Sequence, residues 1–335
     1  MLNDTALSVL DLSPIVQGGD ATIAFNNTRS LARYAEGLGY KRYWLAEHHN
    51  MPGLGCAATA VLIGNVAEAT KTLKVGAGGI MLPNHAPLII AEQFGTLAAL
   101  YPGRIELGLG RAPGTDQITM RALRRQFNNE GNSFPRDILE LQSYFGREVP
   151  GVNQEFICAV PGQELDIPIW ILGSSLYGAQ LAAAMGLPYG FASHFSPSLL
   201  MQALEVYRNR FEPSDYLNEP YVLAGFNVFA AENDVAGQTL MSSAQQAFLN
   251  LRNGRPSKLQ PPISNFENNL TSEEKAVLKS VLSCSVAGGA ETVKDGLKTF
   301  IEQTGVDEVM IAAQIFDHNA RLKSYEIVAE VFKEI

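Results

Sequence analysis

Cysteine is scarce. Cys56, Cys158 and Cys284 are odd in number, far apart and without a C-x-x-C pair, which argues against both a disulfide framework and a zinc knuckle. They read as reduced thiols, mostly buried. Basic side chains are few as well: 25 Lys and Arg against 34 Asp and Glu leave a net charge of -9, which argues against nucleic acid or an anionic membrane as a partner. No apolar run approaches the roughly 18 residues that a membrane helix requires. The opening stretch "MLNDTALSVLDLSP" carries Asp4 and Asp11 where a secretory signal needs a basic start and an unbroken apolar core. Low-complexity tracts are also missing, and 46% of the residues are hydrophobic, so the expectation is a globular, soluble, cytoplasmic chain with a large core.

What is present is an alternation. Short β-branched or aromatic runs at 6–14, 42–49, 73–84, 104–114, 167–175, 189–195, 221–231 and 307–316 are separated by stretches long enough for crossover helices. Several of these, such as 21–39 with Ile23, Leu31, Ala35 and Leu38, show helical spacing and end on glycine. Eight parallel strands can close as a (β/α)8 barrel or lie open as a doubly wound sheet, and periodicity does not separate the two. Strand ends do. An open sheet binds at one switch point, whereas a barrel gathers functional residues from many strands at one face. Here all five histidines fall just past a predicted strand, and the helices read from the sequence carry none. The fold expected is an α/β (β/α)8 TIM barrel, a single domain over 1–335. Residues 254–285 interrupt the rhythm as an insertion or lid between strands seven and eight. The "SVAGGAETVKDGL" piece after it offers a Gly-Gly turn opening a helix, a geometry that can hold an anion.

Three groups suit a phosphate: Arg111 after the fourth strand, Arg136 opening a helix, and Ser174-Ser175 at the head of another. An N-capping serine and two surface arginines are the plainer reading of the same residues. Gly78 and Gly79 lie inside a strand that otherwise reads as buried. They need a reason, either the close approach of a flat ligand or small-residue packing inside a barrel. The segment "YWLAEHHNMPG" sets Glu47, His48 and His49 at a strand end, a candidate catalytic edge, metal site or polar loop.

The segments "WLAEHHNM", "GGIMLPNHAPL", "LGRAPGTD", "WILGSSLYGAQLAA", "FASHFSP" and "VMIAAQIFDHNARL" together resemble the bacterial luciferase-like flavin monooxygenase family over nearly the whole chain. The similarity is to its single-subunit, luciferase-alpha-like members. It implies a barrel using FMN as FMNH2, supplied by a separate NAD(P)H-dependent flavin reductase. Through a flavin C4a-peroxide, O2 would then oxidise a small apolar organic substrate. By position, Glu47 and His48 match the flavin and substrate edge, with His48 the candidate base and Glu47 its orienter or an acceptor for flavin N–H groups. Gly78-Gly79 matches a non-prolyl cis peptide against the flavin ring. Arg111, Arg136, Ser174 and Ser175, with Tyr177 and Gly178, match the phosphate positions, and Ser193 and His194 line the pocket. Family members dimerise through helices near Ala58, Val61, Ile63 and Ala67, which implies a homodimer.

Two departures bear on activity. Luciferase subunits carry cysteine where this chain has Gly110 and tryptophan where it has His194, so light emission is not implied. Competing readings are a deazaflavin-dependent dehydrogenase of the same superfamily, a flavin-binding protein without turnover, and a metal-dependent barrel hydrolase. The last is disfavoured because "SVLDLSP" has no histidine on the first strand, so no metal ligands are assigned.

Overall fold

Helix caps explain where the alternation changes element. A computed structural model describes residues 5–123, 133–146 and 157–335. The strands are β1 (Ala6–Asp11), β2 (Arg42–Leu45), β3 (Lys74–Met81), β4 (Ile105–Gly110), β5 (Ile169–Gly173), β6 (Tyr189–Phe191), β7 (Val222–Ala230), β8 (Ser285–Gly288) and β9 (Glu308–Ala312). Between them run helices α1 (Ala21–Leu38), α2 (Thr59–Ala69), α3 (Pro87–Leu100), α4 (Gln117–Leu123), α5 (Phe134–Tyr144), α6 (Leu176–Ala184), α7 (Leu200–Arg210) and α8 (Asp234–Arg252). The later helices are α9 (Ser272–Val281), α10 (Ala290–Thr304) and α11 (His318–Phe332). Asp20 accepts from the Ile23 amide at 2.9 Å to start α1, and Gly39 ends it at φ 87°, the left-handed conformation that glycine adopts freely. Asp317 starts α11 in the same way, through the Ala320 amide at 2.8 Å.

All strand pairs in the sheet are parallel, and β1 pairs with both β2 and β9 while β6 pairs with β7. Eight strands therefore close into a (β/α)8 barrel, with β9 as its eighth stave. The interior is filled by large side chains opposite glycines. A Cβ at Gly78 would meet Leu10 and Trp44 at 2.9 and 3.0 Å, and one at Gly79 would meet the Gly108 carbonyl and Leu172 at 2.7 Å. Small-residue packing in the barrel thus accounts for both glycines. Their shared peptide is cis, as the resemblance implies.

β8 was not expected. "SVAG" forms a strand before the Gly-Gly turn, pairing with Asn227–Ala230 of β7, while Leu223–Asn227 of the same strand pairs with β9. β7 thus forks at the C-terminal rim of the barrel. The turn does receive an anion, but an internal one: the Asp234 carboxylate accepts from the Gly289 amide at 2.8 Å and from the Thr292 hydroxyl at 2.7 Å. The preceding segment crosses that rim. Leu259 is buried and exchanges backbone hydrogen bonds with Ile15 and Gln17 at 3.0 and 2.8 Å, and Lys258 Nζ donates to the Gly19 carbonyl at 2.7 Å.

Two buried ion clusters were also not foreseen. At the N-terminal end of the barrel, Arg42 Nη1 lies 2.8 Å from Glu106 and its Nε lies 2.7 Å from Glu308. Trp44 donates to Glu106 at 3.0 Å, and Tyr221 and Ser8 donate to Glu308. Between the barrel and its helices, Asp11 accepts from Arg321 Nη2 at 2.8 Å, from Thr28 at 2.7 Å, from the Ser13 amide and from Tyr43. Among the described residues, no helix is long and apolar enough to cross a membrane.

Candidate functional site

The C-terminal rim holds every histidine: His48 and His49 after β2, His85 after β3, His194 after β6 and His318 opening α11 after β9. Glu47, 1% exposed, is the hub. Its Oε1 accepts from His49 Nε2 at 2.8 Å, His85 Nε2 at 2.9 Å and Asn84 Nδ2 at 3.2 Å, and its Oε2 accepts from the Met81 amide at 2.9 Å. Burial alone would raise its pKa, but the histidine and amide donors outweigh burial and hold the carboxyl below its usual range.

This changes the expected pairing. Glu47 orients His49 and His85 rather than His48, and both its oxygens are already occupied by protein donors. β2 has ended at Leu45, and the chain bends at His49 and Asn50, so the ring of His49 rather than that of its neighbour His48 meets the carboxylate. His48 turns instead to the Gly114 carbonyl, 3.3 Å from its Nδ1. Burial lowers the His48 pKa, so the ring is neutral near pH 7.

The loop after β4 is stitched to the histidine loop. Thr115 Oγ1 donates to the His49 carbonyl at 3.0 Å, and Asn84 Nδ2 donates to the Pro113 carbonyl at 2.9 Å. Arg111 opens that loop. Its guanidinium carbon lies 4.1 Å from the centre of the Tyr177 ring, in the first turn of α6. Ser175, the N-cap residue of α6, is extended, and its hydroxyl makes no capping bond. The N-cap side chain of α6 thus leaves its own helix start uncapped, in contrast to α10, where the Asp234 carboxylate accepts from the Gly289 amide. A helix start, a serine pair and an exposed arginine therefore face one place, an arrangement suited to a phosphate. Gly178 lies against Gly173 and Tyr189, bringing the helix close to the end of β5. Arg136 is exposed in the first turn of α5.

Across the rim, Ser193 donates to the Gly225 carbonyl at 2.6 Å, and Asn227 donates to the His194 carbonyl at 2.7 Å. Burial, reinforced by nearby His48, pushes His194 down to about 4. The space where luciferase subunits carry a cysteine side chain, at Gly110, is taken by the Met81 thioether. Among the described residues, no group of three or more His, Cys, Asp or Glu side chains is placed to hold a metal ion. His49 and His85 direct their Nε2 atoms at one carboxylate oxygen instead.

Sequence reasoning assigned nothing to His85, Asn84 or Asn227. The signal for His85 was available: a histidine past β3, the strand adjacent to β2, which Glu47 follows.

A family model described as luciferase-like monooxygenase matches residues 6–308. An Escherichia coli (strain K12) protein named luciferase-like monooxygenase is 51% identical over 330 residues, covering 98% of each chain. The crystal structure of apo-MsnO8 has a TM-score of 0.90 at 31% identity and 98% coverage of both chains. The oxygenating constituent of 3,6-diketocamphane monooxygenase from Pseudomonas putida, solved with FMN, has a TM-score of 0.73 over 99% of this chain and 98% of its own. At 16% identity, that likeness concerns the fold.

Proposed function

Because this chain belongs to the luciferase-like monooxygenase family, we propose that it is a reduced-FMN-dependent monooxygenase acting on a small, largely apolar organic substrate. The observation that carries the cofactor assignment is the exposed Arg111 lying over Tyr177 beside Ser175, the N-cap of α6 whose hydroxyl makes no capping bond, a set that fits one terminal phosphate. FMN in the diketocamphane oxygenase supports the same choice. Arg111 and the Ser174-Ser175 pair would hold the phosphate, with Arg136 near the mouth. The flavin ring would lie over the barrel towards Gly78-Gly79, Ser193 and His194. Reduced FMN, when bound, supplies the electrons with which one oxygen atom of O2 enters the substrate while the other leaves as water.

This chain's own residues handle protons and positioning. His48 presents a neutral imidazole whose Nε2 lone pair accepts a proton at the rim, its Nδ1 being turned to Gly114. Glu47 acts through others: it fixes His49, His85 and the Met81 amide, and the loop stitched to them carries Arg111.

A separate NAD(P)H-dependent reductase supplying the flavin, a cytoplasmic location, one barrel domain and a homodimer complete the reading. Of the four positions considered for dimer contact, Ile63 and Ala67 on α2 are buried in their own barrel, while Val61 is 72% exposed and the N-cap residue Ala58 is exposed too. Sedimentation of the wild type against Val61→Asp tests the pairing. Anaerobic titration with reduced FMN, followed by oxygen and product analysis, tests the activity. Absence of reduced-flavin binding at micromolar concentrations would remove the whole assignment.

A further inference from the structure

His194 is fastened to β7 through its carbonyl, which accepts from Asn227, and through its neighbour Ser193, whose hydroxyl donates to the Gly225 carbonyl. The imidazole is laid across Gly225, and a Cβ there would overlap its Nδ1. That nitrogen is inaccessible and has no hydrogen-bond partner among the described residues. A proton on it would be a buried donor without an acceptor, a cost avoided when the proton sits on Nε2. His48 is the opposite case. Its Nδ1 faces a carbonyl, which only accepts, so Nδ1 carries the proton and Nε2 keeps its lone pair. The two rings are close enough that a charge on one disfavours a charge on the other.

We infer that His194 is the fixed, neutral hydrogen-bond donor of the site. With His48 nearby as acceptor, it selects a substrate bearing an uncharged oxygen, a carbonyl or hydroxyl, over a hydrocarbon of the same shape. The selection rests on the monooxygenase reading; the pair of tautomers does not. Gly225 is the positioning residue that makes room for the donor.

Two measurements separate these claims. Nitrogen NMR shifts of the flavin-free full chain at pH 7 should show His194 as the Nε2–H tautomer and His48 as the Nδ1–H tautomer. Gly225→Ala should expel the His194 ring and return its titration towards that of an ordinary imidazole. Finding His194 protonated or as Nδ1–H in the wild type overturns the proposal, whatever the protein binds. The second measurement is calorimetric binding of cyclohexanone and cyclohexane to the protein loaded with reduced FMN. Wild type should prefer the ketone by about tenfold, as one well-placed hydrogen bond implies. His194→Phe should lose that preference, and His194→Gln, which keeps a donor, should retain most of it. An unchanged preference in His194→Phe overturns the selection role. If reduced FMN does not bind, the monooxygenase reading fails by itself, and the ketone comparison on the flavin-free chain still decides the role of His194.

Discussion

The two ends of the barrel carry similar inventories of carboxylates, cations and aromatic rings, and dispose of them differently. At the N-terminal end the charges close on one another: Arg42 is held between Glu106 and Glu308, with its guanidinium 4.6 Å from the centre of the Trp170 ring. At the C-terminal end, Glu47 is saturated by histidine and backbone donors, yet Arg111 stays exposed over Tyr177 and the start of α6 is left without a side-chain cap. One end stores its polarity internally as structure. The other keeps part of it available to a ligand.

Breaking the closed end should have the largest effect on stability. Arg42→Met leaves the buried Glu106 without its counter-charge and Glu308 with only the half-exposed Lys41 at 3.7 Å, which should cost about 3 to 5 kcal/mol in denaturant unfolding. Burial already raises the Glu106 pKa against the opposing pull of Arg42, so the variant should recover stability as the pH falls and the buried carboxyl is discharged. A variant equally unstable at pH 5 and pH 8 would contradict that account.

Glu47 should titrate the other way. Its folded pKa lies below the unfolded value, so its contribution is present above the unfolded pKa and is lost as the pH falls through the folded one. Glu47→Gln should cost about 1.5 to 3 kcal/mol at pH 7, the range for hydrogen bonds to a charged group, and progressively less in acid. A penalty that does not shrink with falling pH would show that the carboxylate charge is not what holds His49 and His85.

Arg111→Ala should leave the melting temperature nearly unmoved and raise the dissociation constant for reduced FMN at least tenfold, through loss of a charge-assisted contact worth about 1.5 to 3 kcal/mol. Anaerobic titration measures it, and unchanged affinity would move the phosphate elsewhere. The smallest effect sharpens the contrast between the two helix starts. Asp234→Ser empties the start of α10, so millimolar sulfate should raise the melting temperature of this variant more than that of the wild type. Equal responses would mean that Asp234 does not block an anion there.

The fold was largely legible because period and strand ends carry it. The eight barrel strands fall inside the runs read from the sequence, and Gly39 ends α1 where a glycine cap was expected. β8 was hidden because "SVAG" is four residues long and borders glycines, so turn chemistry masked a strand that exists only by pairing with an overlong β7. The site was legible as an inventory but not as a set of contacts. Glu47 and His48 are neighbours in the chain, and adjacency suggested a partnership, whereas Glu47 bonds His49 and His85 and His48 turns to Gly114. Arg42, Glu106 and Glu308 gave no local signal, since three short strands distant in sequence must assemble before their charges meet.

The Asp11–Arg321 pair has a consequence for how the chain is made. It joins the end of the first strand to the last helix across 310 residues, while β1 pairs with β9 to close the ring. During synthesis β1 has one open edge until β9 has left the ribosome, and Asp11 lacks this counter-ion until Arg321 follows. Closure is therefore a late event, and a nascent or truncated chain ending before β9 exposes two unpaired strand edges, a template for association with other chains. For this protein the stretch from β9 through α11 acts as a latch on the barrel.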